Sequence, residues 1–122
     1  QSHDIPLVVY QLDDINSFNT LKKNKTGIIK LLQNKKFDKH VMSVSNFFIS
    51  PNETKQIFLN RANDVSWVCL VAGYYDLKPS QSTLQYKISD YNKWKFYESE
   101  KKQKFMTINI YFDKSSMEQR QE

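Results

Sequence analysis

A β-sandwich with a small helical insertion is the architecture expected of this 122-residue chain. Six segments rich in β-branched and aromatic residues are separated by short polar turns, the pattern of packed sheets. The stretch 14–35 instead places apolar residues at helical spacing. The run Val65–Tyr75 is nearly continuous in apolar side chains, which suits a strand covered on both faces. Length fits one core, so residues 1–114 are expected to form a single domain, with 115–122 a polar tail that frays.

Taken in order, Ile5–Leu12 reads as a strand, with Pro6 at its start, where a missing ladder donor matters least. Asp13 and Asp14 offer a helix N-cap. Ile15, Phe18 and Leu21 then follow three apart, and Ile28, Ile29, Leu31 and Leu32 add further helical turns after Gly27. Val41–Ile49 is a strand ending at Ser50-Pro51-Asn52-Glu53, a tight-turn composition. Thr54–Leu59 sets Ile57 and Leu59 on one face. In Val65–Tyr75, the late Gly73 suggests a bulge or bend. Lys78-Pro79-Ser80-Gln81-Ser82 is a loop, Leu84, Tyr86 and Ile88 alternate in a half-buried strand, and Phe105–Phe112 closes the sheet. Between the last two, residues 90–104 are polar and Lys-rich but carry Tyr91, Trp94, Phe96 and Tyr97.

Three of these segments together resemble the TssJ (SciN) family of type VI secretion lipoproteins. Pro6-Leu7-Val8-Val9-Tyr10-Gln11-Leu12 followed by Phe18 is similar to that family's opening strand and helix. Ile49-Ser50-Pro51-Asn52-Glu53-Thr54-Lys55 is similar to a turn between two of its strands. Val71-Ala72-Gly73-Tyr74-Tyr75-Asp76-Leu77 resembles the motif that follows, and order and spacing agree across residues 5–77. The Lys- and Asn-rich composition suits the divergent IglE-type branch.

The resemblance implies a transthyretin-like sandwich, without catalysis, on the periplasmic face of the bacterial outer membrane. A lipid on a cysteine upstream of residue 1 would tether it there. Its partner would be the periplasmic C-terminal region of a TssM-like inner-membrane protein. Two features depart from the family. Only five residues precede Pro6, where the family carries a strand and a docking loop. Thr83-Leu84-Gln85 stands where the family tends to place a Trp-Arg pair, and Trp94 comes later.

Little in the sequence points to chemistry. Gly27 and Gly73 are its only glycines, too few for a phosphate-cradling loop. His3 and His40 lack the spacing of a zinc site, so neither metal nor cofactor is expected. Cys69 is the only cysteine and sits in an apolar run, as a small buried hydrophobe does. The net charge of +5 comes from lysines scattered among acidic neighbours, with only Arg61 and Arg120 as arginines. That describes a solvated surface more than a nucleic-acid footprint. The aromatics interleaved with Lys in 86–105 could stack bases, but Asp90, Glu98 and Glu100 break the positive field.

Antiparallel strand order places the chain start, Ser50, Pro51, Asn52 and Glu53, and the loop with Lys78, Pro79 and Ser80 at one end of the sandwich. Loops gathered at one end commonly bind partners, so these residues are the candidate docking set. The alternative is a free-standing envelope or adhesin-like sandwich that pairs an edge strand with its partner. With no nucleic-acid partner, the domain should pass a filter that retains single-stranded DNA or RNA complexes at low salt; retention there would contradict this reading.

Overall fold

A computed structural model describes residues 4–74, 82–88, 95–98, 104–112 and 117–120. Two short helices and eight strands lie among them: β1 (Ile5–Leu12), α1 (Asn16–Leu21), α2 (Lys25–Leu31), β2 (Val41–Ile49), β3 (Glu53–Asn60), β4 (Trp67–Ala72), β5 (Thr83–Lys87), β6 (Lys95–Glu98), β7 (Lys104–Phe112) and β8 (Met117–Arg120). The first sheet has the order β2-β1-β4-β5. The second has the order β3-β7-β6, and β8 pairs with β7 beyond β6. Every pairing is antiparallel.

The central strands β1 and β4 are buried on both faces because side chains alternate across a strand. Leu7 and Val9 of β1 join Val68, Leu70 and Ala72 of β4 on the inner face. There they meet Ile57 and Leu59 of β3 and Ile110 and Phe112 of β7, forming the core between the sheets. Val8, Tyr10 and Leu12, with Cys69 and Val71, point the other way and pack against Phe18, Ile28 and Leu31 of the helices. The molecule is therefore a β-sandwich whose first sheet carries the helical insertion as an outer cover.

Helices of six and seven residues are too short to stand alone, and packing holds them. Phe18, Ile28 and Leu31 are fully buried. The Asn24 side chain caps α2 by accepting from the Gly27 N–H at 2.9 Å. Gly27 is required by contact: a Cβ there would overlap the Leu21 carbonyl at the end of α1. The expected aspartate cap takes a different form. Ile15 occupies the N-cap of α1 with no side-chain bond, while Asp14 Oδ1 accepts from the Asn16 N–H at 2.8 Å.

Two neighbouring β1 residues join the layers in opposite directions. Tyr10 donates its hydroxyl to the Leu31 carbonyl, fastening the end of α2 to the outer face. Its ring meets Phe37 edge-on, with centroids 5.1 Å apart. Gln11 faces inward and is 2% exposed. Its Nε2 donates to the Asn60 carbonyl and its Oε1 accepts from the Ala62 N–H, both at 2.8 Å. Both ends of that buried amide are thus engaged by the segment that leads from β3 back to β4.

The structure corrects the sequence expectations at several points. β6 and β8 add two strands to the six expected. The second of these lies within 115–122, where Met117 is buried against Phe112 and its strand pairs with β7, so a frayed tail does not describe Met117–Arg120. Gly73 answers a close approach: its N–H donates to the Pro6 carbonyl at 2.8 Å, and a Cβ would lie 2.6 Å from Pro6 Cγ. His40 is paired, its Nδ1 lying 2.7 Å from Asp13 Oδ1 where β1 ends and β2 begins. The bulge in this sheet is between Gln11 and Leu12, where the register to β2 shifts.

Substituting Gly27→Ala should cost about 3 kcal/mol, as overpacking against backbone does, read as a lower urea midpoint at unchanged m-value. Gln11→Leu should cost a similar amount, about 3 kcal/mol, by leaving the Asn60 carbonyl and Ala62 N–H without their partner. Burial pushes the Tyr10 and Tyr86 phenols up to about 12, and for Tyr10 the Lys35 backbone opposes this in part. An unfolded chain ionises these phenols near pH 10, so their contribution is intact below that pH and is lost as pH rises through about 12. Denaturation at pH 9 and pH 11 should show lower stability at the higher value, and the Tyr10→Phe variant should lose less across that window.

Candidate partner-docking end

The end of the sandwich where the chain starts is fixed by register. Ile5 lies opposite Ile49, and Leu7 opposite Ala72, so the start of β1 meets the ends of β2 and β4. Glu53 at the start of β3 lies opposite Phe112, which brings the end of β7 to the same place. The segment Ser50–Asn52 carries the chain from the edge of the first sheet to the edge of the second.

Proline and asparagine make this turn possible. Pro51 fixes its own φ, and Asn52 takes a left-handed φ of 66°, which asparagine tolerates better than most residues. The Asn52 N–H donates to the Phe112 carbonyl, pinning the turn to the second sheet. The Ser50 N–H donates to Glu53 Oε1 at 3.3 Å, and the Ser50 hydroxyl donates to Asp4 Oδ1 at 3.4 Å. Asn52 and Glu53 are exposed, and Ser50 and Pro51 are half-buried. The turn is thus a held, outward-facing feature beside the start of the chain.

The same end carries apolar surface. Phe48 of β2 is 68% exposed, and Pro6, its partner across the sheet, is also exposed. The carboxylates of Asp4 and Glu53 lie at the same end, each hydrogen-bonded to Ser50. Such a surface can contact another protein.

Of the sequence-predicted docking residues, Ser50, Pro51, Asn52 and Glu53 are brought together with the chain start. Lys78, Pro79 and Ser80 lie outside the described residues. Ser82, where the chain re-enters the described region, is fully buried next to Thr83, which lies opposite Val71. Phe48 and Pro6 were missed as surface groups. Phe48 follows Phe47 in sequence, and nothing local says which of the two faces inward.

Groups capable of reaction are placed elsewhere. Cys69 is wholly buried in the outer-face cluster, and burial raises its thiol pKa. The His40–Asp13 pair sits at the opposite end from the Ser50–Glu53 turn. Among the described residues, no group of three or more His, Cys, Asp or Glu is arranged to hold a metal ion. No helix among them is long and apolar enough to cross a membrane.

Comparison with curated proteins and with solved structures finds no match. Comparison with protein families finds one: the type VI secretion lipoproteins, described by the members VasD, EvfM and TssJ, whose family model matches residues 1–113. That span takes in β1 through β7, including the strand, turn and glycine segments described above. The chain belongs to the type VI secretion lipoprotein family.

Proposed function

We propose that this domain is a non-catalytic anchor of a type VI secretion membrane complex, held at the periplasmic face of the outer membrane. A lipid on a cysteine upstream of residue 1 would tether it, and the end of the sandwich at the chain start would bind the periplasmic C-terminal region of a TssM-like protein. The observation that carries this reading is the family match over residues 1–113. The held turn at Ser50–Glu53, with exposed Phe48 beside it, gives the partner a preformed surface to meet. Preformed contact groups lose little freedom on binding, which favours affinity.

In this reading Ser50, Pro51, Asn52 and Glu53 contact the partner together with Lys78, Pro79 and Ser80. Calorimetric titration with the purified TssM periplasmic region tests it. The Glu53→Lys, Lys78→Glu double variant should bind about tenfold or more weakly, as loss of interfacial charge contacts does. Unchanged affinity for that variant, with its thermal melt also unchanged, would remove these residues from the interface. An absence of binding by the parent domain would remove the partner itself.

A further inference from the structure

The lysines of this chain are not spread evenly along it. Residues 15–37 carry six lysines and no arginine, aspartate or glutamate. The whole chain has a net charge of +5, so taking away this +6 leaves −1 for everything else. The expectation of lysines scattered among acidic neighbours therefore fails at the helical insertion. Lys22 is half-buried and donates to Gln85 Oε1, but Lys23, Lys25, Lys30, Lys35 and Lys36 are exposed. None of these five forms an ion pair among the described residues.

The fold gathers them on one layer. Ile28 and Leu31 of α2 are buried against the outer face of the first sheet, so Lys25, Ile29 and Lys30 turn to solvent. Ile29 lies one turn after Lys25 and is 49% exposed. The Lys35 backbone and the Phe37 ring both meet Tyr10, which keeps Lys35 and Lys36 with the same layer. The end of α2 also stands beside the start of the chain. A Cβ at Gly73 would lie 2.6 Å from Pro6 Cγ and 3.5 Å from Leu32 Cδ2. Pro6 and its partner Phe48 belong to this outward side as well, because even-numbered residues of β1 point toward the helices.

We propose that the helical cover is a membrane-facing surface that rests on an anionic bilayer, its lysines against acidic headgroups and Ile29 in the interface. Membership of a lipoprotein family puts a bilayer within reach of the domain. A tether upstream of residue 1 would emerge beside this cover. All six cations are lysines, which act as point charges and lack the planar fork with which arginine grips individual phosphates or carboxylates. An exposed isoleucine among lysines is the mixture that interfacial surfaces use: the apolar group enters the acyl boundary while the cations attract acidic lipids. The inference rests on the lipoprotein reading and not on the TssM-like partner.

Co-sedimentation of the unlipidated 122-residue chain with vesicles tests the surface apart from any tether. The chain should bind vesicles of mixed phosphatidylcholine and phosphatidylglycerol at low salt, release as salt rises, and ignore vesicles of phosphatidylcholine alone. Lys25→Gln combined with Lys30→Gln should weaken binding about tenfold or more, since each lysine near an acidic surface contributes about fivefold. Thr54 and Gln56 are exposed on the outer face of the second sheet. Thr54→Glu combined with Gln56→Glu makes the same change in net charge there, and should weaken binding less than about threefold. Ile29→Ser should weaken binding while its salt dependence is kept, and thermal melts should show all these variants folded. A parent chain that does not bind the acidic vesicles overturns the proposal and leaves the tether reading standing. Equal losses from the two charge pairs also overturn it, because a net charge without a preferred face gives that result. Binding of polyglutamate in place of vesicles would overturn it too, assigning the surface to an acidic protein.

Discussion

Two-sided burial of β1 and β4 is the constraint on which the rest of this structure depends. A strand with apolar groups on both faces cannot leave either face in water without losing about 25 cal/mol for each Å² exposed. The inner face is satisfied by the second sheet and the outer face by the two helices. Each cover is weak alone: the helices are too short to persist in isolation, and the strands of the second sheet need an apolar surface to pack on. The layers are consequently interdependent, and the central pair decides where each one sits.

The Tyr10-Gln11-Leu12 segment shows how this dependence is written into neighbouring residues. Successive side chains of a strand point oppositely, so Tyr10 reaches the helical layer while Gln11 reaches the segment after β3. A buried amide is tolerated only when its donor and acceptor are both met, and Gln11 meets this condition. The effect is positional. The cover on one face and the crossover between sheets are both referred to the same stretch of β1, whose other end lies at the Ser50–Glu53 turn. A surface for another protein can then be formed by a turn, because the strands on either side of that turn cannot shift independently.

The strands whose sequence patterns reflect local rules were legible. Ile5–Leu12 and Val41–Ile49 have the bounds expected of them, since β-branched runs bounded by aspartates or by Ser-Pro-Asn leave little choice. The helical insertion was legible from spacing, although Asn24 as its true cap was not. β6 was hidden in a Lys-rich stretch, where Phe96 and Tyr97 alone gave no period. β8 was hidden because Met117 is the single apolar residue in a polar segment, and only the neighbouring β7 gives that segment a partner. The Ser50–Glu53 turn was legible as a turn. Its role in passing the chain from one sheet to the other was not, because the same four residues could equally close a hairpin. The His40–Asp13 pair and the inter-sheet bonds of Gln11 join residues 27 to 51 positions apart, beyond the reach of local pattern.

Amide hydrogen exchange, resolved by residue in the complete domain, tests most directly whether the central pair governs the fold. The account predicts that the amides of Val8, Tyr10, Leu70 and Val71 exchange only through global unfolding, with the slowest rates in the chain and a denaturant dependence equal to that of the whole molecule. Exchange of these amides by local opening, while Ile57 and Ile110 of the second sheet stay protected, would contradict it.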